Sequence, residues 1–151
     1  MLADFPMMKN KEVLKAAWEK TAEEICRLTE QRGKKAEMIS GVPSFCSAAA
    51  RLGISLGDGE EQIHIIPGSY GVEETTALSG TRIYMKSGRE LQHVKKVLKE
   101  EAACREKNGE ELQVYALADC GLENEMVMCG LEEWPEKLPY LTIVIVKVRK
   151  I

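Results

Sequence analysis

The chain has 151 residues, 44% of them hydrophobic, and a formal net charge of −3. This length can bury one sizeable core, and its Lys and Arg are scattered among acids, which excludes the clustered basic surface that nucleic acid requires. No apolar run approaches the roughly 20 residues of a membrane span and no signal-peptide order opens the chain, so we expect a cytoplasmic protein without membrane contact.

The first third of the sequence predicts two helices separated by a short strand. "NKEVLKAAWEKTAEEICRLTEQRG" has the apolar spacing of an amphipathic helix over 11–32, with Asn10 as its N-cap and Gly33 as its end. "AEMI" (36–39) predicts a strand. A turn through Gly41 and Pro43 then leads into the helix "SFCSAAARL", which Gly53 ends.

The middle of the sequence alternates strands with helices. "IHII" (63–66) predicts a buried strand, a short helix follows near 72–78, and "TRIYM" predicts a strand that ends at Met85. Ser87 and Glu90 have the spacing of a capping box. They predict the start of a long helix that ends at Asn108 and Gly109, with an apolar stripe formed by Leu91, Val94, Leu98 and Ala102.

The last third predicts three strands, "QVYALAD", "MVMCG" and "YLTIVIVKV" (140–148). The final strand is apolar on both faces for six residues and is therefore expected at the centre of the sheet. Helices alternate with strands, and adjacent strands follow one another at the end of the chain. The fold class is therefore predicted as α/β, with a mixed β-sheet flanked by helices.

Single residues give no clear catalytic or metal site. His64 and His93 have no nucleophile or ligand at a telling spacing and are read as structural or surface residues. "GDGEE" lacks the alternating acids of an EF-hand loop and is read as a solvated connection. The cysteines are odd in number and without Cys-x-x-Cys spacing, which favours reduced thiols over disulfides or zinc. Cys120 and Cys129 flank an acidic turn but have no basic neighbour to activate a thiol.

Two turns are the better candidates for binding a ligand. "GVPSF" (41–45) and "CGLENE" (120–125) each follow a predicted strand, and open α/β sheets bind ligands beyond the carboxyl ends of their strands. Glycine in such a turn lets a ligand approach the main chain. Most turns of this kind bind nothing, so the pattern alone leaves the question open.

At these turns the sequence resembles the tetrapyrrole (corrin/porphyrin) methyltransferase family, and within it the enzymes that methylate C20 of precorrin-2 or cobalt-factor II in cobalamin synthesis. The resemblance runs through "DFPMMKNKEVLKAAWEK", "ISGVPSFCSAAARLGI", "QIHIIPGSY", "MKSGREL" and "VYALADCGLENEMVMCGL" to "LPYLTIVIVKVRK". Several separate matches in the family's order cover nearly the whole chain.

The resemblance implies a fold of two α/β domains with the methyl donor S-adenosyl-L-methionine in the cleft between them. Residues 1–53 would be the remnant of the first domain and 54–151 the second. Carried over by position, Pro43 and Ser44 match the turn that approaches the donor, Met85 matches a methionine that packs on it, and Gly121 matches a glycine at its adenine side. The resemblance further implies a tetrapyrrole substrate and a homodimer. It identifies no catalytic base.

The sequence departs from the family pattern in two places. It has neither the Gly-x-Gly-Pro-Gly turn with which family members begin nor their internal Gly-Asp-Pro segment, so we expect one wall of a two-walled site. Arg51, Arg82, Lys86 and Arg89 are the cations considered as partners of substrate carboxylates. The alternative function is a non-catalytic α/β domain that dimerises or binds a partner.

Overall fold

The computed structural model describes residues 22–151 apart from Met38, Ser69 and Glu133. The chain divides into two compact units, Met1–Gly41 and Val42–Ile151. Within the described residues, every helix is too short or too polar to span a bilayer. The division into 1–53 and 54–151 comes from the family resemblance, whereas the compact units divide after Gly41. The division by family resemblance stays a prediction.

In the first unit, helix α1 is described over Ala22–Gln31. Gly33 adopts φ +68° just beyond the helix and its N–H donates to the Glu30 carbonyl at 2.8 Å, so the predicted helix end is confirmed. The earlier part of the predicted helix, with Asn10, lies outside the described residues.

The strand predicted over 36–39 is wrong for its described residues. Ala36, Glu37 and Ile39 are outside any strand, and Ile39 is 88% exposed. All five strands of the sheet lie in the second unit. An apolar segment forms a strand only beside a backbone that bonds with it, and no described strand pairs with these residues.

The described residues of the second unit form a five-stranded sheet, two α-helices and two short 3-10 helices. The helices are α2 (Ser44–Leu52) and α3 (Leu91–Glu106), and the 3-10 helices are Glu73–Thr75 and Ser87–Arg89. The strands are β1 (Ile63–Pro67), β2 (Thr81–Met85), β3 (Glu110–Ala118), β4 (Met126–Cys129) and β5 (Thr142–Lys150). Gly53, with φ +66°, ends α2 as predicted.

The strand order is β1-β2-β5-β3-β4, with β1 and β2 parallel and the other three pairs antiparallel. The sheet is therefore mixed, as predicted. β5 is the central strand, and its residues Thr142 to Lys147 are all buried, which agrees with its apolar sequence on both faces.

Side chains of β5 alternate between two cores, one on each face of the sheet. Ile143 and Ile145 belong to the same buried cluster as Ala48 of α2, whereas Val144 and Val146 belong to the cluster that contains Leu98 of α3. Because successive residues of a strand point to opposite faces, this alternation places a helix on each side of the sheet.

Two local predictions are corrected by the packing. β1 is an edge strand rather than a buried one, with Ile63 46% and Ile65 54% exposed. The predicted capping box is also wrong, because Ser87 lies in a 3-10 turn, its buried hydroxyl has no partner, and α3 begins only at Leu91. The intervening turn leaves Ser87 too far from the free N–H groups of α3 to cap them.

A buried ion pair joins the sheet to α3. The Arg82 guanidinium is fully buried and donates to both carboxylate oxygens of Glu101, at 2.7 and 2.9 Å. It also donates to the Thr75 carbonyl at 3.1 Å, and Arg105 donates to Glu101 at 2.5 Å. Two parallel bonds between guanidinium and carboxylate fix the distance and angle of β2 against α3.

A second buried cation ties a loop to the other face. Lys147 of β5 has only 5% of its side chain exposed, and its ammonium donates to the Ser55 carbonyl at 2.8 Å. Asp58 and Glu61 lie 3.5 and 3.6 Å from it. A hydrogen bond from Ser55, and then the Lys147 charge, hold the pKa of Asp58 below its ordinary value. The acidic loop is therefore anchored to the sheet rather than being a free connection.

We expect Arg82→Met to lower the free energy of unfolding by about 3–5 kcal/mol, because it leaves the Glu101 carboxylate buried without its main partner. The double variant Arg82→Met with Glu101→Leu should lose less, since neither charge remains buried. Urea unfolding followed by circular dichroism measures both. Lys99→Ala, which removes the exposed Lys99–Glu132 pair, is the control and should leave the midpoint unchanged. Equal losses in all three variants would contradict this account.

Candidate functional site

The carboxyl ends of three strands meet at one edge of the sheet. Parallel pairing places the ends of β1 and β2, Pro67 and Met85, side by side. Met85 pairs with Ile143 and Ala118 pairs with Thr142, so β3 ends at the same edge, where β5 begins. Open α/β sheets bind ligands at such an edge, and the segments that follow Met85 and Ala118 lie there.

Two adjoining cavities open at this edge. The smaller has a volume of about 170 Å³ and is lined by Ser44, Met85, Lys86, Asp119, Cys120, Leu122, Leu141 and Ile143. The larger has about 590 Å³ and is lined by Ile65, Pro67, Gly68, Met85, Lys86, Arg89, Glu90 and Tyr140. Met85 and Lys86 belong to both walls. The two cavities therefore adjoin at these two residues.

The four residues assigned by family resemblance lie in or beside the smaller cavity. Ser44 and Met85 line it, whereas Gly121 stands between two lining residues and Pro43 directly precedes Ser44. The cavity is smaller than the roughly 300–1,000 Å³ of enclosed small-molecule sites. A nucleoside-sized ligand would therefore extend beyond this cavity. That these residues contact a donor stays a prediction.

The backbone conformation at position 121 favours glycine. It has φ +78°, in the left-handed region that favours glycine, and a Cβ added there would meet nothing within 4 Å. The preceding Asp119 also has positive φ, at +50°, and its carbonyl accepts from the Leu122 N–H at 2.9 Å. The turn after β3 is thus tightly folded, and a side chain at Gly121 would strain it without meeting a neighbour.

A carboxylate clamp holds this turn against α2. Glu125 accepts the Gly121 N–H at 2.8 Å and the Arg51 guanidinium N–H at 2.6 Å. The Gly121 bond, and then the Arg51 bond, lower the pKa of Glu125 below its ordinary value. Arg51 and Glu125 are 74 residues apart in sequence, so no local pattern predicts the pair. The clamp joins the last turn of α2 to the "CGLENE" turn.

The Cys120 thiol at the start of the turn is less acidic than an ordinary cysteine. Burial, and then the nearby Glu125 carboxylate, raise the pKa of the Cys120 thiol, which is therefore protonated at neutral pH. Cys129 faces Tyr115 in the β3–β4 register rather than Cys120, and both are free thiols. The part of the chain that the structure describes contains no cluster of three or more His, Cys, Asp or Glu able to hold a metal ion.

The cations considered for substrate binding divide into two groups. Arg82 is fully buried against Glu101 and cannot reach a ligand, and Arg51 is paired with Glu125. Lys86 and Arg89 instead line the larger cavity, 5.7 and 5.3 Å from the centre of the Tyr140 ring. The sequence offers no signal for Tyr140, which comes to this edge only through the register of β5.

Comparison with known proteins gives the family. The sequence profile of the Tetrapyrrole (Corrin/Porphyrin) Methylases matches residues 17–134. The chain belongs to this family. It is 27% identical, over 170 aligned positions, to a probable cobalt-precorrin-2 C(20)-methyltransferase of Methanocaldococcus jannaschii. That alignment covers 95% of this chain and 70% of the relative.

Solved structures of methyltransferases share the fold. Uroporphyrin-III-C-methyltransferase of Thermus thermophilus superposes with a TM-score of 0.57 at 24% identity, over 83% of this chain and 56% of that one. A cobalt precorrin-4 methyltransferase gives 0.57 at 13% identity, over 83% and 57%. A Thermus thermophilus structure with S-adenosyl homocysteine gives 0.53 at 13% identity, over 83% and 58%. The chain spans a little over half the length of these structures.

Removal of the Glu125 carboxylate should loosen the turn after β3 and leave the rest of the sheet unchanged. We expect Glu125→Ala to lower the hydrogen-exchange protection of the Gly121 amide, measured by NMR, because that amide loses its acceptor. Glu125→Gln, which keeps a carbonyl acceptor, should lose less. Glu123→Ala removes an exposed carboxylate of the same turn that makes no hydrogen bond to a described residue, and it should change nothing.

The same bond should depend on pH. Because the pKa of Glu125 is lowered on folding, protection should persist above the ordinary glutamate value of 4.5 and disappear as the pH falls through the lowered pKa. A wild-type protection factor that is unaffected by Glu125→Ala would contradict the clamp.

Proposed function

We propose that the chain supplies the donor-binding wall of an S-adenosyl-L-methionine-dependent methyltransferase that acts on a tetrapyrrole. The observation that carries this proposal is the smaller cavity, where Ser44, Met85 and the turn around Gly121 meet at the carboxyl edge of the sheet. Membership of the methylase family supports it, and so does the homologue bound to S-adenosyl homocysteine.

The wall suits an adenosine chemically. Met85, Leu122, Leu141 and Ile143 offer an apolar surface for a base. Besides Lys86 and Cys120, the polar lining residues are Ser44 and Asp119. Neither of these two side chains is hydrogen-bonded to another described residue, so both are available to ribose hydroxyls. Pro43 sets the chain direction before α2 with φ −59° and ψ 141°. Gly121 lets the turn approach the base.

The reaction requires positioning more than acid–base chemistry. The donor would provide an electrophilic sulfonium methyl. An electron-rich ring carbon would form the new bond as the carbon–sulfur bond breaks, with S-adenosylhomocysteine leaving and the proton of that carbon passing to water. Met85 lies on the shared wall of the two cavities, so it would hold donor and acceptor at the same point. Alignment in a shielded cleft can supply much of the rate acceleration.

For the acceptor we propose C20 of precorrin-2 or cobalt-factor II, within cobalamin biosynthesis. The support is the 27% identical relative, whose name specifies a probable cobalt-precorrin-2 C(20)-methyltransferase. We further propose a cytoplasmic homodimer. Its support is the set of free cysteines, which fits a reducing compartment, and the open edge of the sheet at β4.

A second candidate is a non-catalytic α/β domain that dimerises or binds a partner. It is favoured by the edge strand β4, where Met126 and Val127 are 38% and 46% exposed. Unpaired strand edges with apolar side chains pair with other chains. This reading requires no donor binding, which separates it from the first.

Calorimetric titration with S-adenosylhomocysteine tests the donor site. We expect binding in the micromolar range that Gly121→Val weakens roughly tenfold or more, because strain of about 1–3 kcal/mol at a positive φ displaces the turn. Gly109→Val is the matched control, since Gly109 also has a positive φ (+72°) and open surroundings but precedes β3 at the opposite end of the sheet. Absence of heat with the unmodified chain would favour the non-catalytic domain.

A further inference from the structure

The larger cavity is lined by two cations that make no ion pair with a described carboxylate. Lys86 and Arg89 are exposed, line the cavity, and form no ion pair with any described acid. Glu90 lines the same cavity but is paired with neither of them. Arg51, Arg82 and Lys147 by contrast are each bound to a carboxylate or a carbonyl of the fold.

Both cations stand against one aromatic ring. The Lys86 ammonium and the Arg89 guanidinium lie 5.7 and 5.3 Å from the centre of the Tyr140 ring. A cation within about 6 Å of a ring face is attracted by the ring electrons, so Tyr140 holds the two charges near each other without neutralising them. Their combined field at the cavity favours an anion.

The turn that carries these cations is locked on both sides. A Cβ at Gly68 would come 2.6 Å from the Met85 carbonyl oxygen, and one at Gly88 would come 2.0 Å from the Pro139 carbonyl oxygen. Lys86 is held in the left-handed region, with φ 59° and ψ 39°. Non-glycine residues occupy this region at a cost and persist there when the surroundings impose it, commonly at ligand sites. The backbone that carries the two cations is therefore held in place.

The other walls of the cavity define the rest of the ligand. Ile65, Pro67 and the Tyr140 ring are apolar, and Ile65 is 54% exposed on the edge strand. The volume of about 590 Å³ is within the usual range for small-molecule sites. An apolar wall with cations at its rim fits a ligand with an apolar body and carboxylates on its periphery.

We propose that Lys86 and Arg89 form a carboxylate-binding site that anchors the ligand of the larger cavity. The inference rests on the proposed function and deepens it, because the carboxylate belongs either to the rim of the tetrapyrrole acceptor or to the amino-acid part of the donor. In both cases the anchored molecule meets the shared wall at Met85, next to the smaller cavity.

The test is a titration of the full chain and of the double variant Lys86→Gln with Arg89→Gln. The probes are uroporphyrin III, a carboxylate-rich tetrapyrrole, then S-adenosylhomocysteine, and then 5′-methylthioadenosine, which has the nucleoside without a carboxylate. The control is Lys107→Gln with Lys150→Gln, which removes the same charge. Lys107 follows α3 and Lys150 lies across from Glu110, at the end of β5 far from Met85.

We expect the double variant to lose roughly tenfold to a hundredfold in affinity for a carboxylate ligand, while the control variant loses little. Loss confined to uroporphyrin III assigns the site to the acceptor. Loss for S-adenosylhomocysteine but not for 5′-methylthioadenosine assigns it to the donor. Unchanged affinities for both carboxylate ligands, or an equal loss for 5′-methylthioadenosine, would overturn the proposal.

The same experiment separates this inference from the proposed function. Charge-dependent uroporphyrin binding without binding of either nucleoside would contradict the donor site and support the carboxylate site. Binding of both nucleosides with the same affinity in every variant, together with tetrapyrrole binding that is insensitive to Lys86 and Arg89, would support the donor site and contradict the carboxylate site. Circular dichroism of each variant confirms that the fold is retained.

Discussion

The backbone pairing of β5 determines where everything else lies. Its first residues bond to Met85 on one side and to Ala118 on the other, through the pairs Ile143–Met85 and Thr142–Ala118. These bonds bring the turn after β2 and the turn after β3 to one edge, although they are more than thirty residues apart in sequence. Because β5 is buried on both faces, a shift of register by one residue would exchange its two cores. The geometry of both cavities therefore depends on the same packing that stabilises the sheet.

The cations of this sheet have distinct structural uses. Arg82 and Lys147 are buried on opposite faces, where they fix α3 and the acidic loop against the strands. Arg51 is exposed and fastens α2 to the turn after β3 through Glu125. Lys86 and Arg89 remain at the cavity without such a partner. A charge that the fold already satisfies contributes little to ligand binding, so the contacts distinguish residues that the sequence leaves equivalent.

Sequence reasoning succeeded where the signal is local. The mixed α/β fold, the end of α2 at Gly53 and the central position of β5 follow from periodicity, glycine placement and an unbroken apolar run. It failed where the outcome depends on distant partners. Among residues 22–151 as described, no strand pairs with the apolar 36–39 segment and β1 pairs with one strand only. The Ser87 signal is overridden by the turn that precedes α3. The Arg51–Glu125 clamp and the position of Tyr140 arise only after the sheet has formed. Family resemblance supplied Pro43, Ser44, Met85 and Gly121, which the residue pattern alone does not single out.

The close packing at Gly68 and Gly88 limits the substitutions that this turn can accept. Every other amino acid would drive a side-chain atom into a carbonyl oxygen at these two positions, so the backbone of the turn cannot change by single steps. The side chains of Lys86 and Arg89 are exposed beyond that fixed frame, so a change of their charge leaves the packing at Gly68 and Gly88 untouched. This surface can therefore change its charge while the backbone beside Met85 keeps its position.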